Sequence, residues 1–173
     1  MQSPTLKIVN ALALMLASFC LHAQAELNTK EKLGELLFFD PVLSQSQTQS
    51  CASCHEPGAA FIDKRPNPSN SAGSLGHDNI SLGDRNTPSA AYANQTPDFH
   101  KNTKGEYVGG MFWDGREKDL EGQAGGPPLN PVEMAMTSKK EIKQRLESNS
   151  LYKESFIYLF GDQVFDSADL VYE

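Results

Sequence analysis

Ser50-Cys51-Ala52-Ser53-Cys54-His55 is the stretch on which the reading turns. Two thiols three positions apart share one face of a helical turn, and a histidine directly after the second is carried beneath whatever both sulfurs hold. That is the geometry of c-type haem attachment, in which two cysteines bond the porphyrin vinyl groups and the adjacent imidazole ligates iron. At this chain's frequencies of Cys and His the pattern arises by chance in about one sequence in a thousand. Three other uses of the pair stand against it. A thioredoxin-like dithiol needs a strand ahead of the motif, whereas Ser44 to Ser50 is a polar Ser/Gln run. Zinc needs a fourth ligand, and His55 is badly placed beside Cys54 to share a tetrahedral ion with it. A disulfide would close a tiny loop and constrain the unfolded chain little. One covalent haem c, held by Cys51, Cys54 and His55, is the leading reading.

Working outward toward the N-terminus, Lys7 precedes an apolar run from Ile8 to Leu21 that ends in Ala23-Gln24-Ala25. Residues 1–25 therefore read as a cleavable signal peptide, which implies a periplasmic protein. The run is shorter than the roughly 20 residues that span a bilayer, and Phe19 before Cys20 does not suit a lipoprotein cleavage site. The chain has 173 residues with 15 Lys and Arg against 22 Asp and Glu, a net charge of −7. An acidic chain lacks the clustered basic surface that phosphate binding needs, so nucleic acid is excluded as a partner and a basic protein is favoured.

Toward the C-terminus, Asn28 and Glu31 resemble a capping box, with Leu33, Leu36 and Leu37 at helical spacing. A helix over 29–39 should follow and stop at Asp40-Pro41. From Glu56 to Asn102 the composition is rich in Pro, Gly, Asn and Ser without periodicity, which predicts irregular chain ordered around a haem. Regular structure should return over 116–124, over 138–147 behind a Ser138/Glu141 capping box, and over 151–160 until Gly161. No strand alternation is evident. The predicted class is all-α, with short helices and long irregular loops, over residues 26–173.

Further segments carry a resemblance. Leu33 to Pro41 leads into Leu43-Ser44 and the haem turn, followed by Gly76-His77, Arg85-Asn86-Thr87-Pro88-Ser89 and Phe112-Trp113-Asp114-Gly115-Arg116. Leu120, Gln123-Ala124 and Asn130-Pro131-Val132-Glu133-Met134 complete the series. Together they resemble the N-terminal, peroxidatic haem domain of the bacterial di-haem cytochrome c peroxidases and their methylamine-utilisation maturase relatives, a cytochrome c-like domain. The resemblance implies reduction of hydrogen peroxide to water with electrons from a small cytochrome c or cupredoxin. It also implies a second haem domain beyond this chain, which holds no second Cys-x-x-Cys-His motif and ends in a helix just begun. A fragment or a split gene is one expectation, and a homodimer is kept open.

Site roles follow from chemistry and from the resemblance. His55 is the proximal iron ligand. His77 corresponds to the family's distal ligand in the resting enzyme; the plain alternative is a surface histidine, the reading given to His100. Glu133, between Pro131-Val132 and Met134, is the candidate general acid-base, with burial raising its pKa. Gln123 matches a distal-pocket amide able to donate and accept hydrogen bonds, or is a polar residue on an exposed helix face. Trp113 matches a position between the two haems, or is a core aromatic with its N–H satisfied. Asp114 and Arg116 should brace its loop. Asn86 matches a calcium ligand whose partners lie in the second domain. A different class, a mono-haem electron carrier, would take its sixth ligand from Met111, Met134 or Met136.

Overall fold

Lys30–Phe39 forms helix α1, and Thr29 rather than Asn28 caps it. Thr29 has extended backbone, and its Oγ1 accepts the Lys32 N–H at 3.3 Å. Only the residue directly ahead of the first turn reaches that amide, so the predicted start shifts by one. The helix stops where Pro41 restricts Asp40 to extended backbone, and Asp40 Oδ1 accepts the Val42 N–H at 2.8 Å to open a single 3-10 turn, Pro41–Leu43. The computed structural model describes residues 27–172. The signal-peptide reading of residues 1–25 lies outside them.

The haem turn is helix α2, Cys51–Cys54, whose start is tightened by the Ser50 N–H donating to Ser53 Oγ at 3.0 Å. It packs against α1. The chain then runs without regular elements, apart from 3-10 turns at Pro57–Ala59 and Ala93–Gln95, as far as a hairpin of β1, His100–Lys101, and β2, Tyr107–Val108. This hairpin corrects the all-α expectation. Phe99 and Tyr107 stack face to face across it, ring centroids 5.6 Å apart. The Asn102 side chain accepts the N–H groups of Lys104 and Glu106 to close its turn.

Helix α3, Leu120–Ala124, begins at its Asp119 cap, four residues later than the sequence suggests. Helix α4 is Gly126–Leu129, and three C-terminal helices follow: α5, Lys139–Ser148; α6, Ser150–Phe160; and α7, Ala168–Tyr172. Ser138 caps α5 as expected. The Glu141 carboxylate, however, reaches one residue further back, to the N–H and hydroxyl of Thr137. Gly161 ends α6 at φ +93, a conformation that side chains with a Cβ rarely adopt.

The apolar core joins Leu33 of α1 to Met136, Ile142, Leu146, Tyr152, Phe156, Val164, Phe165 and Val171. No residue between Ser44 and Pro128 belongs to it. The haem turn therefore sits where a helical layer meets a layer of loops tied together by polar bonds. Arg145 of α5 staples the two. Its guanidinium donates to the carbonyls of Val42, Ser44 and Gln45 while pairing with Glu141 at 2.8 Å. Tyr152, 1% exposed, adds a second staple through its hydroxyl, which donates to Asp40 Oδ2 at 2.6 Å.

Candidate haem site

Cys51 and Cys54 lie half-buried on one helical turn, and both are free thiols. His55 closes the turn with its N–H on the Cys51 carbonyl at 2.9 Å. Its Nδ1 lies 3.2 Å from the Phe61 carbonyl. A carbonyl only accepts, so Nδ1 carries the hydrogen and Nε2 keeps its lone pair for a metal. Burial pulls the His55 pKa below the ordinary imidazole value and holds it neutral, the form that ligates iron.

Around Cys54 the structure adds residues that motif reading missed. Burial raises the Cys54 thiol pKa to about 11, with the Arg65 charge opposing. One Arg65 amine donates to Cys54 Sγ at 3.1 Å, to the Leu75 carbonyl at 2.9 Å and to Asp63 at 2.7 Å. Gln49 directs Nε2 toward the same sulfur at 3.5 Å, while its Oε1 is buried without a donor. Nothing in Asp63-Lys64-Arg65 marks it as part of a site, because its link to Cys54 is made only by folding. Two sulfurs on one face, an imidazole whose Nδ1 faces a carbonyl and an orphaned amide oxygen fit a covalently held haem. Among the described residues no group of three or more His, Cys, Asp or Glu could hold a metal ion by itself, so the zinc alternative finds no ligand set.

His77 is half-buried and its backbone is held on both sides. Its N–H donates to the Glu133 carbonyl at 2.8 Å, and its own carbonyl accepts from Ser46 and Thr48. Gly76 permits this approach: a Cβ there would lie 2.7 Å from the Val132 carbonyl oxygen. Glu133 is thus joined to His77 through the backbone. Its pKa is raised by burial, opposed by the Asn130 amide, which donates to Oε1 at 2.8 Å. Two residues before His77, the Leu75 carbonyl lies 4.0 Å from Cys54 Sγ. The structure therefore sets the loop that carries His77, and through it Glu133, beside the haem turn.

Gln123 is half-buried on α3. Among the described residues no hydrogen bond of its side chain brings it to Glu133. Trp113 is 59% exposed, which overturns the core-aromatic reading, although its Nε1–H is satisfied by the Asn86 carbonyl at 3.1 Å. Asp114 braces the loop as expected, pairing with both Arg85 and Arg116 at 3.0 Å. Trp113, Asn86, Arg85, Asp84 and Ala72 line an open cleft of about 290 Å³. Among the described residues that line the cleft, Asp84 is the carboxylate beside Asn86. His100 is exposed on β1, as expected.

A family model described as di-haem cytochrome c peroxidase matches residues 28–171. The chain belongs to that family. The methylamine utilization protein MauG of Paracoccus denitrificans (strain Pd 1222) is 48% identical over 141 residues, 82% of this chain and 36% of that protein. The cytochrome c peroxidase Ccp of Escherichia coli (strain K12) is 37% identical over 131 residues, 76% of this chain and 24% of that protein. The crystal structure of the diheme peroxidase BthA from Burkholderia thailandensis E264 is similar at TM-score 0.74 and 33% identity, over 81% of this chain and 34% of that one. The chain spans about a quarter to just over a third of these relatives' lengths.

Within the di-haem cytochrome c peroxidase family the cofactor implied is a c-type haem, and Cys51, Cys54 and His55 are the residues here that would hold it. The fold is mainly helical with one small hairpin, and it is similar to that of a diheme peroxidase. The carrier reading loses one of its sixth ligands, since Met136 packs in the helical core. Met111 and Met134 are buried outside that core, Met134 directly beside Glu133.

Proposed function

We propose that this chain forms the peroxidatic haem domain of an exported di-haem cytochrome c peroxidase, with residues 1–25 as its signal peptide. It would reduce hydrogen peroxide to two waters, consuming two electrons and two protons, with the electrons supplied by a small reduced cytochrome or copper protein. A bound haem would supply the site where peroxide binds and where electrons arrive. The observation that carries this reading is Glu133, a carboxyl whose pKa is raised by burial, held by Asn130 and joined through the backbone to His77 at the haem turn.

The chain's own part is proton handling. Asn130 occupies Glu133 Oε1, which leaves Oε2 to take a proton from the nearer peroxide oxygen and return it to the departing one. A raised pKa suits a group that must both accept and donate near neutral pH. Gln123 is proposed to hydrogen-bond peroxide or water, and Trp113 to carry electrons toward the haem from its exposed position. Asn86 is proposed as one ligand of a calcium ion completed from outside this chain.

A maturase-type role is the second reading, favoured by the higher identity to MauG than to Ccp. The haem-loaded protein from its native host separates the two readings. Peroxide turnover with a reduced cytochrome, lost by at least ~100-fold in Glu133→Gln, is the expected result. Undiminished turnover in that variant removes Glu133 from the mechanism, and absence of turnover with any donor favours the maturase role. Intact mass and haems per chain would show how much protein lies beyond residue 173.

A further inference from the structure

The Ser/Gln run ahead of the haem turn is exposed at Ser46 and Thr48, yet both hydroxyls are engaged with His77. Ser46 Oγ lies 3.0 Å from His77 Nδ1, Ser46 Oγ and Thr48 Oγ1 lie 2.6 Å apart, and Thr48 Oγ1 lies 2.7 Å from the His77 carbonyl oxygen. These contacts close a ring that starts and ends on one residue. Each hydroxyl has one hydrogen to give. The carbonyl can only accept, so Thr48 gives its hydrogen there. The 2.6 Å contact then needs the Ser46 hydrogen, which also faces the His77 carbonyl at 3.0 Å. With Thr48 donating to the carbonyl and Ser46 donating to Thr48, the arrangement that uses the shortest contacts, Ser46 is left as an acceptor toward Nδ1, and Nδ1 then carries the hydrogen. The Nε2 lone pair is thereby the one left free.

We propose that Ser46 and Thr48 are positioning residues for His77: this ring selects the imidazole tautomer that offers Nε2 to the haem iron and sets how firmly His77 holds the sixth position. The proposal rests on the reading of His77 as the distal ligand. It parallels His55, whose Nδ1 faces the Phe61 carbonyl. Histidines that bind metals are held in this way through the nitrogen not on the metal. The run itself is fixed from two sides. Arg145 grips the carbonyls of Ser44 and Gln45, and the Gln45 N–H donates to the Met134 carbonyl at 2.8 Å. A loop needing only closure would use the His77 carbonyl alone; the contact with Nδ1 is specific to an imidazole.

The test uses the haem-loaded ferric chain, read by visible and electron paramagnetic resonance spectra for low-spin against high-spin iron, and by the rate of cyanide binding. His77→Ala is the reference and should give a high-spin site. Ser46→Ala should move the spectrum in the same direction and speed cyanide binding by about 10-fold. Ser46→Thr, which keeps the hydroxyl, should restore wild-type behaviour. Thr48→Val leaves Ser46 free to donate directly to the carbonyl and should have the smaller effect. A clear change in His77→Ala with none in Ser46→Ala overturns the ring, as would a larger effect of Thr48→Val than of Ser46→Ala. No change in His77→Ala overturns the distal-ligand reading and this proposal with it.

Discussion

At Glu133 the desolvation that suits proton transfer has a cost in stability. The folded state holds its proton more tightly than the unfolded chain does. The stabilisation from that group is therefore complete below its ordinary value of 4.5 and is lost as pH rises through the raised folded value. Glu133→Gln keeps an oxygen for Asn130 and cannot ionise. The variant should melt higher than wild type at pH 7, with the gap closing by about pH 4; thermal denaturation at both pH values checks this. An equal melting temperature at pH 7 would mean that water reaches the carboxylate. Gly76 bears on the same pair of residues. A methyl group there meets backbone rather than a flexible side chain, so Gly76→Ala should cost about 1–3 kcal/mol in urea unfolding.

Among the elements, Arg145 reaches back about 100 residues to three carbonyls. Arg145→Met keeps most of the apolar stem but takes the guanidinium from the carbonyls of Val42, Ser44 and Gln45, of which Ser44 keeps the Gln47 N–H at 2.9 Å. A loss of about 2–4 kcal/mol is expected from hydrogen bonds to a charged group, measured by urea unfolding. Helices α1, α5 and α6 were legible in the sequence, because apolar spacing, local caps and the stops at Pro41 and Gly161 are all written within a few residues. The hairpin was not, since each strand is two residues long and its stability lies in Phe99 stacking on Tyr107. The shared face of Cys51 and Cys54 with His55 behind it was legible from spacing, and the environment of Glu133 from its apolar neighbours. The partners of His77 and Cys54 were not. Ser46 stands 31 residues from His77, and Arg65 stands 11 from Cys54; neither spacing is a motif. Of the two readings of Trp113, exposure sets aside only the core-aromatic one.

Taken as one molecule, the protein has its apolar core on one side only. Cys51→Ala/Cys54→Ala, which cannot attach haem, should keep amide protection in α1, α5, α6 and α7 and lose it across roughly residues 56–112. Hydrogen exchange reads this directly, and uniform loss would mean that the helical layer also depends on the cofactor. The same one-sidedness bears on biosynthesis. A ribosome delivers Leu33 and then the two cysteines with His55, but every other member of the buried cluster lies at Met136 or later. While the intervening residues are being made, the helical layer has nothing to close on. Until those residues arrive the helical layer cannot be completed, so the order of the residues along the chain leaves both sulfurs open to modification before the core is whole.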